Sequence, residues 1–424
     1  MLIKLSKAII FASSIALIPF LSSCGDIGNE GSNNIGKSTF VSAEVVENIP
    51  FETMSAMESR SNFGYKAVKI VYNTTDEQDN EVVASGLVVL PVPTTEYLQA
   101  NPTFSLSMVS DQHGTIFTNK EAPSVAEQKN GIPENKLGVM FSAIAGFITI
   151  LPDYIGYGDS VSHYHPFILE KSSANTTVDL IHATIKYCND NNLPINGQLF
   201  LSGYSEGGYA TMAAAKEIEA HHSDLSLKAI APMAGPYDVE KIAEGTLNAP
   251  VMSFPPFLAY IAHSYAKTYD DINVSNVIQP TYSGSLETLF DREHNATVLY
   301  MAFPNVIVGN GQETNKLFKD ELITDFANQD NSLRERFVQN SVIDWKPKTK
   351  VRLYHCDNDE IIPYAMSELA EASFKAKGAT SVELMPISTV LDATFPDTVH
   401  GECAIVAYQQ VATWFDKIRR GEIK

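Results

Sequence analysis

Apolar and polar positions alternate in two runs, YKAVKIVYN (65–73) and EVVASGLVVLP (81–91), separated by the polar TTDEQDN. A period of two on either side of a turn-rich break predicts a β-hairpin. Beyond it the pattern changes. Short apolar runs, FSLSMVS (104–110), FITILPD (147–153), QLFLSG (198–203) and LKAIAPMAG (227–235), are interleaved with stretches of helical spacing, ENKLGVMFSAIAG (134–146), ANTTVDLIHATIKYCNDN (174–191) and YATMAAAKEIEAHH (209–222). Strands alternating with helices imply βαβ crossovers and a mostly parallel sheet covered on both faces.

The alternation stops after APMAGPYD and resumes at KVRLYHCDND (350–359), continuing to SVELMPI (381–387) and a last helix from about Glu402 to Arg420. In between, Phe318, Leu322 and Phe326, and again Leu333 and Phe337, recur at helical spacing, and FPPFLAYIAHSY (254–265) is too apolar for a solvated loop. This segment, about 239–345, is expected to be a helical cap inserted between two sheet strands, the alternative being a second independent domain.

At the N-terminus Lys4 and Lys7 precede an apolar stretch from Ile9 to Leu21, which ends in Leu21-Ser22-Ser23-Cys24. The stretch is short for a membrane span but has the build of a secretory signal. Its last four residues resemble the lipobox of bacterial lipoproteins, in which the cysteine carries lipid after cleavage. The expectation is a signal peptide over 1–23, lipidation at Cys24, a Gly/Ser/Asn-rich tether over 24–38 and a folded domain over 39–424. Such a protein is exported and held on a membrane, the bacterial outer membrane, without spanning it; an ordinary cleaved signal is the alternative. With 50 acidic residues against 30 basic ones the chain has a net charge of −20, which disfavours nucleic acid as a partner.

The strand QLFLSG runs into Gly203-Tyr204-Ser205-Glu206-Gly207, a G-x-S-x-G pattern. Three fixed positions in five are weak by themselves, and a glycine-rich turn without chemistry is the plain alternative. A buried strand before and an alanine-rich helix after are what a nucleophile elbow requires. A serine hydroxyl attacks only when a base takes its proton, and the base needs a carboxylate to hold its tautomer. With this elbow the partners follow in the order Ser, Asp or Glu, His. His400 is the histidine that follows the last strand, whereas His355 ends a strand. For the acid, Asp357, Asp359 and Glu360 compete. Asp359 stands in the D-x-x-[VI]-P spacing that resembles the acid loop of many α/β hydrolases, and Asp357 is the alternative. The oxyanion donors are expected to be the backbone amides of Glu206, at the start of its helix, and of Thr115 in the loop SDQHGT, with His113 fixing that loop.

Together HGT…APS (113–124), LPDYIGYG (151–158), HPF (165–167), GYSEGG and the long cap resemble the secretory lipase family of α/β-hydrolase serine esterases. The resemblance runs from about residue 60 to the end. It implies an α/β-hydrolase fold, Ser205 as nucleophile, Asp359 as acid, His400 as base and a lid-like cap over an acyl pocket, with no cofactor. The lipobox is a departure from that family, and so is Glu206. The expected activity is cleavage of small-molecule or lipid carboxylic esters through an acyl-enzyme. The alternatives are a carbohydrate-ester or peptide hydrolase with the same residues, and a catalytically silent ligand-binding lipoprotein.

Two weaker signals remain. Cys356 lies three residues before Asp359 and Cys403 three after His400. If those loops meet, a disulfide between them is chemically permitted in an exported protein, and two reduced, buried cysteines are the alternative. His163-Tyr164-His165 and His221-His222 come with no H-E-x-x-H and no carboxylate-rich partner, so loop and surface roles are expected and no metal.

Overall fold

The computed structural model describes residues 39–126, 128–129, 132–133, 141–249, 254–304, 306–308, 311–326, 331–388 and 399–423. The expected signal, Cys24 and the tether lie outside them, as do residues 134–140 and 389–398. Residues 38–424 form one compact unit.

Nine strands make one sheet. Strands β1 (Phe40–Ile49), β2 (Gly64–Thr75) and β3 (Glu81–Val92) are antiparallel neighbours, and the expected hairpin pairs Tyr72 with Ala84 and Val68 with Val88. Then come β4 (Leu106–Gln112), β5 (Ile148–Pro152), β6 (Ile195–Tyr204), β7 (Ser226–Met233), β8 (Lys350–Cys356) and β9 (Val382–Ile387). The spatial order is β1-β2-β3-β5-β4-β6-β7-β8-β9, parallel from β5 onward. This is the mostly parallel sheet that the interleaved pattern predicts. Strand β1 escaped the reading, because FVSAEVVENI mixes small, charged and apolar residues along an exposed edge.

Every residue of β4 and β5 is buried, since the parallel strands are covered on both faces. Alternate side chains enter different cores. Met108, Leu199, Leu201 and Ile230 pack with helices α1 (Glu170–Asp190) and α2 (Glu206–His221), whereas Val109, Phe200, Ala229 and Ala231 pack on the other side with Tyr408, Trp414 and Phe415.

Between β7 and β8 the chain is helical, with α3 (Val239–Asn248), α4 (Pro255–Thr268), α5 (Ser332–Gln339) and several shorter pieces. Two prolines start α4, where missing N–H groups cost nothing. Phe318, Leu322, Phe326, Leu333 and Phe337 are all buried. They belong to the same apolar core as Met108 and Leu199 of the sheet. Tyr260 of α4 joins cap to body: its ring stacks on Phe167 at 4.7 Å and Phe290 at 4.4 Å, and its hydroxyl lies 3.0 Å from that of Tyr157.

After β8 come α6 (Ala365–Ala376), β9 and the last helix, α7 (Val399–Arg419). Helix α7 starts earlier than its expected beginning near Glu402, so His400 lies in its first turn rather than in a preceding loop. Val399, Cys403, Ala407 and Val411, four residues apart, are all buried against the sheet, and this stripe carries the helix back past Gly401.

Candidate active site

The turn from β6 into α2 holds Ser205 at φ 60° and ψ −122°, a conformation that non-glycine residues rarely adopt. Its amide donates to Met233 O on β7 at 2.9 Å. The turn is possible because its neighbours lack side chains. A Cβ on Gly207 would run into the Gln112 carbonyl, and one on Gly203 into the Gly207 carbonyl. Parallel pairing sets Gln112 opposite Gly203, so the end of β4 and the start of α2 are in backbone contact.

The loop after β4 therefore lies beside the serine. A Cβ placed on Gly114 would come within 3.7 Å of Ser205 Cβ, and Thr115, Ser205 and Glu206 line one cavity. His113 fixes this loop: its ring lies 4.2 Å from that of Tyr154, its Nδ1 is 2.7 Å from Gly114 O, and Tyr154 Oη donates to His113 O at 3.0 Å. Below, Asp153 accepts from Ser124 N at 2.8 Å, Ser124 Oγ at 2.5 Å and Ser85 Oγ at 2.5 Å. Burial pushes the Asp153 carboxyl up from its ordinary value, against these hydrogen bonds.

On the loop after β8, the side chain of Asp359 is buried. Its Oδ1 accepts from the amides of Ile361 (2.9 Å) and Ile362 (2.8 Å), and its Oδ2 faces His400 Nδ1 at 2.6 Å and His355 Nε2 at 3.4 Å. Burial alone would raise this carboxyl, but hydrogen bonds from His355 and His400 overcome it and hold Asp359 well below the usual carboxylate range. Asp357 turns away and accepts from Ser388 Oγ at 3.0 Å. His355 is anchored by Ser367 Oγ (2.7 Å) and Ile362 O (2.9 Å).

The His400 ring packs at 4.9 Å from the ring of Tyr204, the residue before Ser205, and Tyr204 Oη donates to His400 O at 2.7 Å. With Nδ1–H directed at Asp359, the lone pair lies on Nε2, which is buried and has no hydrogen-bond partner among the described residues. Cys356 and Cys403 form a disulfide with Cα atoms 6.1 Å apart, joining the acid loop to α7, while Cys188 is a buried free thiol that burial pushes up to about 12.

Two groups at this site were not legible as such in the sequence. Glu206 Oε1 lies 2.8 Å from His165 Nε2, both side chains about 5 % exposed, and His165 Nδ1 is 2.8 Å from Ile155 O. Since Nδ1–H donates to that carbonyl, the Nε2–Oε1 contact holds one shared proton and the pair has no net charge. The other is Asp111 on β4, which accepts from Ser202 Oγ at 2.7 Å and Tyr408 Oη at 3.3 Å and which burial pushes up to about 7.

A cavity of about 400 Å³ opens over Ser205. Its walls are mostly apolar, with Phe254, Phe257, Leu258 and Ile261 from the cap, Phe167 and Ile168 from below, and Ile361, Ile362 and Met366 beside Asp359; Lys241 and Glu360 also reach the lining. A smaller cavity of about 40 Å³ continues behind Leu258 and Ile261, lined by Phe318, Leu322, Leu333 and Phe337.

The fold and this arrangement define an α/β hydrolase. The secretory lipase family matches residues 135–417, and the chain belongs to that family. Membership supports ester hydrolysis as its activity class. Among curated protein sequences none matches the chain. Among solved structures, a Legionella pneumophila protein assigned as a hydrolase is similar with a TM-score of 0.78 at 24 % identity, over 91 % of this chain and all of the other. The rice cell wall degrading esterase LipA of Xanthomonas oryzae gives 0.75 at 21 %, over 92 % and 100 %. Candida antarctica lipase A in its closed state gives 0.60 at 16 %, over 84 % and 77 %. At these identities the likeness establishes the fold.

Two outcomes are expected. Replacing Cys356 and Cys403 together by serine should lower stability by about 2–4 kcal/mol in denaturant titrations; an unchanged midpoint would show that the bridge does not constrain the chain. Asp111 keeps its proton in the folded chain up to about pH 7, whereas in the unfolded chain it loses it near pH 4. Its contribution to stability therefore falls as pH rises from about 4 to 7. An Asp111→Asn variant should gain on the parent across that range, by about 4 kcal/mol. A gap in melting temperature that stays constant between pH 5 and pH 8 would contradict the buried neutral acid.

Proposed function

We propose that the chain is a serine ester hydrolase that works through an acyl-enzyme on Ser205. The observation that carries this reading is the 2.6 Å contact between His400 and buried Asp359, next to a serine held in a strained elbow. In the proposed reaction Ser205 Oγ attacks the ester carbonyl while His400 Nε2 takes its proton, and Asp359 stabilises the imidazolium. The amides of Thr115 and Glu206 hold the oxyanion. Collapse expels the alcohol, protonated by His400, and water activated by the same imidazole releases the acid and frees Ser205.

The apolar walls of the cavity favour an acyl chain of medium length, running under α4 towards the smaller cavity. The lipobox-like residues ending at Cys24 support export and a lipid anchor at an outer membrane. Among the described residues no helix is long and apolar enough to cross a membrane.

Ser205→Ala and His400→Ala should each lower kcat on nitrophenyl esters by about a millionfold. A fluorophosphonate probe should label the parent and spare the serine variant; equal labelling of both would remove Ser205 from the mechanism, and no turnover by the parent would favour a ligand-binding protein. In an acyl series the medium chains should give the highest kcat/KM, and a maximum at acetyl would favour a carbohydrate-ester substrate. Replacing Cys24 by serine should move the protein from the membrane to the soluble fraction of expressing cells, and an unchanged distribution would exclude the anchor.

A further inference from the structure

At the far end of α2 from Ser205, two imidazoles face each other. His182 of α1 and His222, the residue that ends α2, place Nε2 and Nδ1 3.2 Å apart, and Asp224 follows on the turn into β7. Each of the three offers a donor atom within 4.8 Å of the other two. We propose that His182, His222 and Asp224 form a binding site for a divalent cation of the zinc type, separate from the candidate active site.

Three features argue for a cation. The first is spacing: two nitrogens held at about 2.0–2.1 Å by a tetrahedral zinc ion stand about 3.3–3.4 Å apart, close to the separation here. The second is the direction of the outward nitrogens. His222 Nε2 faces Glu217 Oε1 at 3.4 Å, and His182 Nδ1 faces Asp224 Oδ2 at 3.7 Å. With the outward proton of His222 held by Glu217 and that of His182 on the solvent-accessible side of its ring, both inward lone pairs point into the same gap, where a cation satisfies them. Glu217 behind the His222 ring is also the outer support usual for an imidazole ligand of a metal.

The third feature is charge. Glu217, Asp224 and Asp179 all act on His222, with the exposed His221 also facing Glu217 at 3.0 Å. Carboxylates thus outnumber the cationic groups that face the gap. The two rings are partly exposed, 29 % and 27 %, so an ion can reach them. Helix α2 has 16 residues, which sets the site about 24 Å from Ser205. The ion would clamp the second half of α1 to the end of α2 and take no part in ester chemistry.

The test uses the full chain stripped with a chelator and titrated with zinc chloride by calorimetry. One ion per chain is expected, with a rise in melting temperature. His182→Gln and His222→Gln should each weaken binding by about 10–100-fold and abolish the thermal shift while leaving nitrophenyl-ester turnover unchanged. Should either variant fold poorly, Asp224→Asn, at an exposed side chain, should weaken binding on its own. Absence of uptake by the parent in the micromolar range would overturn the proposal and leave a proton in the gap. Equal affinity in parent and variants would overturn it too, by placing the ion elsewhere.

Discussion

The close approach of backbone to backbone around Ser205 is the constraint on which the rest of the site depends. A residue at φ 60° and ψ −122° costs on the order of 1–3 kcal/mol and persists only where its surroundings leave no alternative. Here the carbonyls of Gln112 and Met233 press on Gly207 and Gly208, so β4, β7 and α2 close on the turn together. The same approach brings the loop of Gly114 and Thr115 to the serine. The turn at Ser205 and the position of the Gly114–Thr115 loop are therefore two consequences of one packing arrangement, and any side chain at Gly207 would disturb both.

A polar layer holds that arrangement from below. Asp153 collects three hydrogen bonds from Ser85 and Ser124, His113 rests on Tyr154, and His165 reaches Glu206 next to the elbow. Burying carboxyls is costly unless they are hydrogen-bonded. Here that cost is offset by partners drawn from three separate segments, those of Ser85, Ser124 and His165, so the loops are fixed relative to one another more strictly than apolar contacts would fix them. These segments carry the motifs HGT…APS, LPDYIGYG and HPF. Thr115 and Phe167 line the cavity, whereas the side chains that these motifs give to the polar layer touch one another, which explains why a resemblance in these motifs speaks to the fold and the elbow before it speaks to substrate.

Much of this could be read from the chain because order and period are local properties. The period of two gave the hairpin and the apolar runs gave the parallel strands, while the order of Ser205, Asp359 and His400 followed from loops after successive strands. What could not be read depends on distance in space. Asp357 and Asp359 are two residues apart in one polar loop, and only the direction of each side chain, towards Ser388 or towards His400, separates them. Glu206 and His165 are 41 residues apart, and no spacing rule connects a helix start with a loop. The pairing of Cys356 with Cys403 stayed open for the same reason. His182 and His222 lie 40 residues apart and meet only because α1 and α2 pack side by side.

The layout also divides chemistry from selectivity along the chain. Ser205, Asp359, His400 and the loop of Gly114 and Thr115 stand at the ends of sheet strands and on the helices next to them, with the end of β8 bound to α7 through a disulfide. The roof of the cavity is a different element. Phe254, Phe257, Leu258 and Ile261 follow helical spacing, so one face of α4 and its entry residue form most of it. The opposite face of α4 carries Tyr260, which fixes the helix to Tyr157 and Phe167 of the body. A change at Leu258 or Ile261 alters the shape of the cavity without reaching a residue that orients His400 or Ser205. A change at Tyr260 shifts the whole roof. Substrate range can therefore vary within this fold through one helical face, provided that the tyrosine behind it keeps its place.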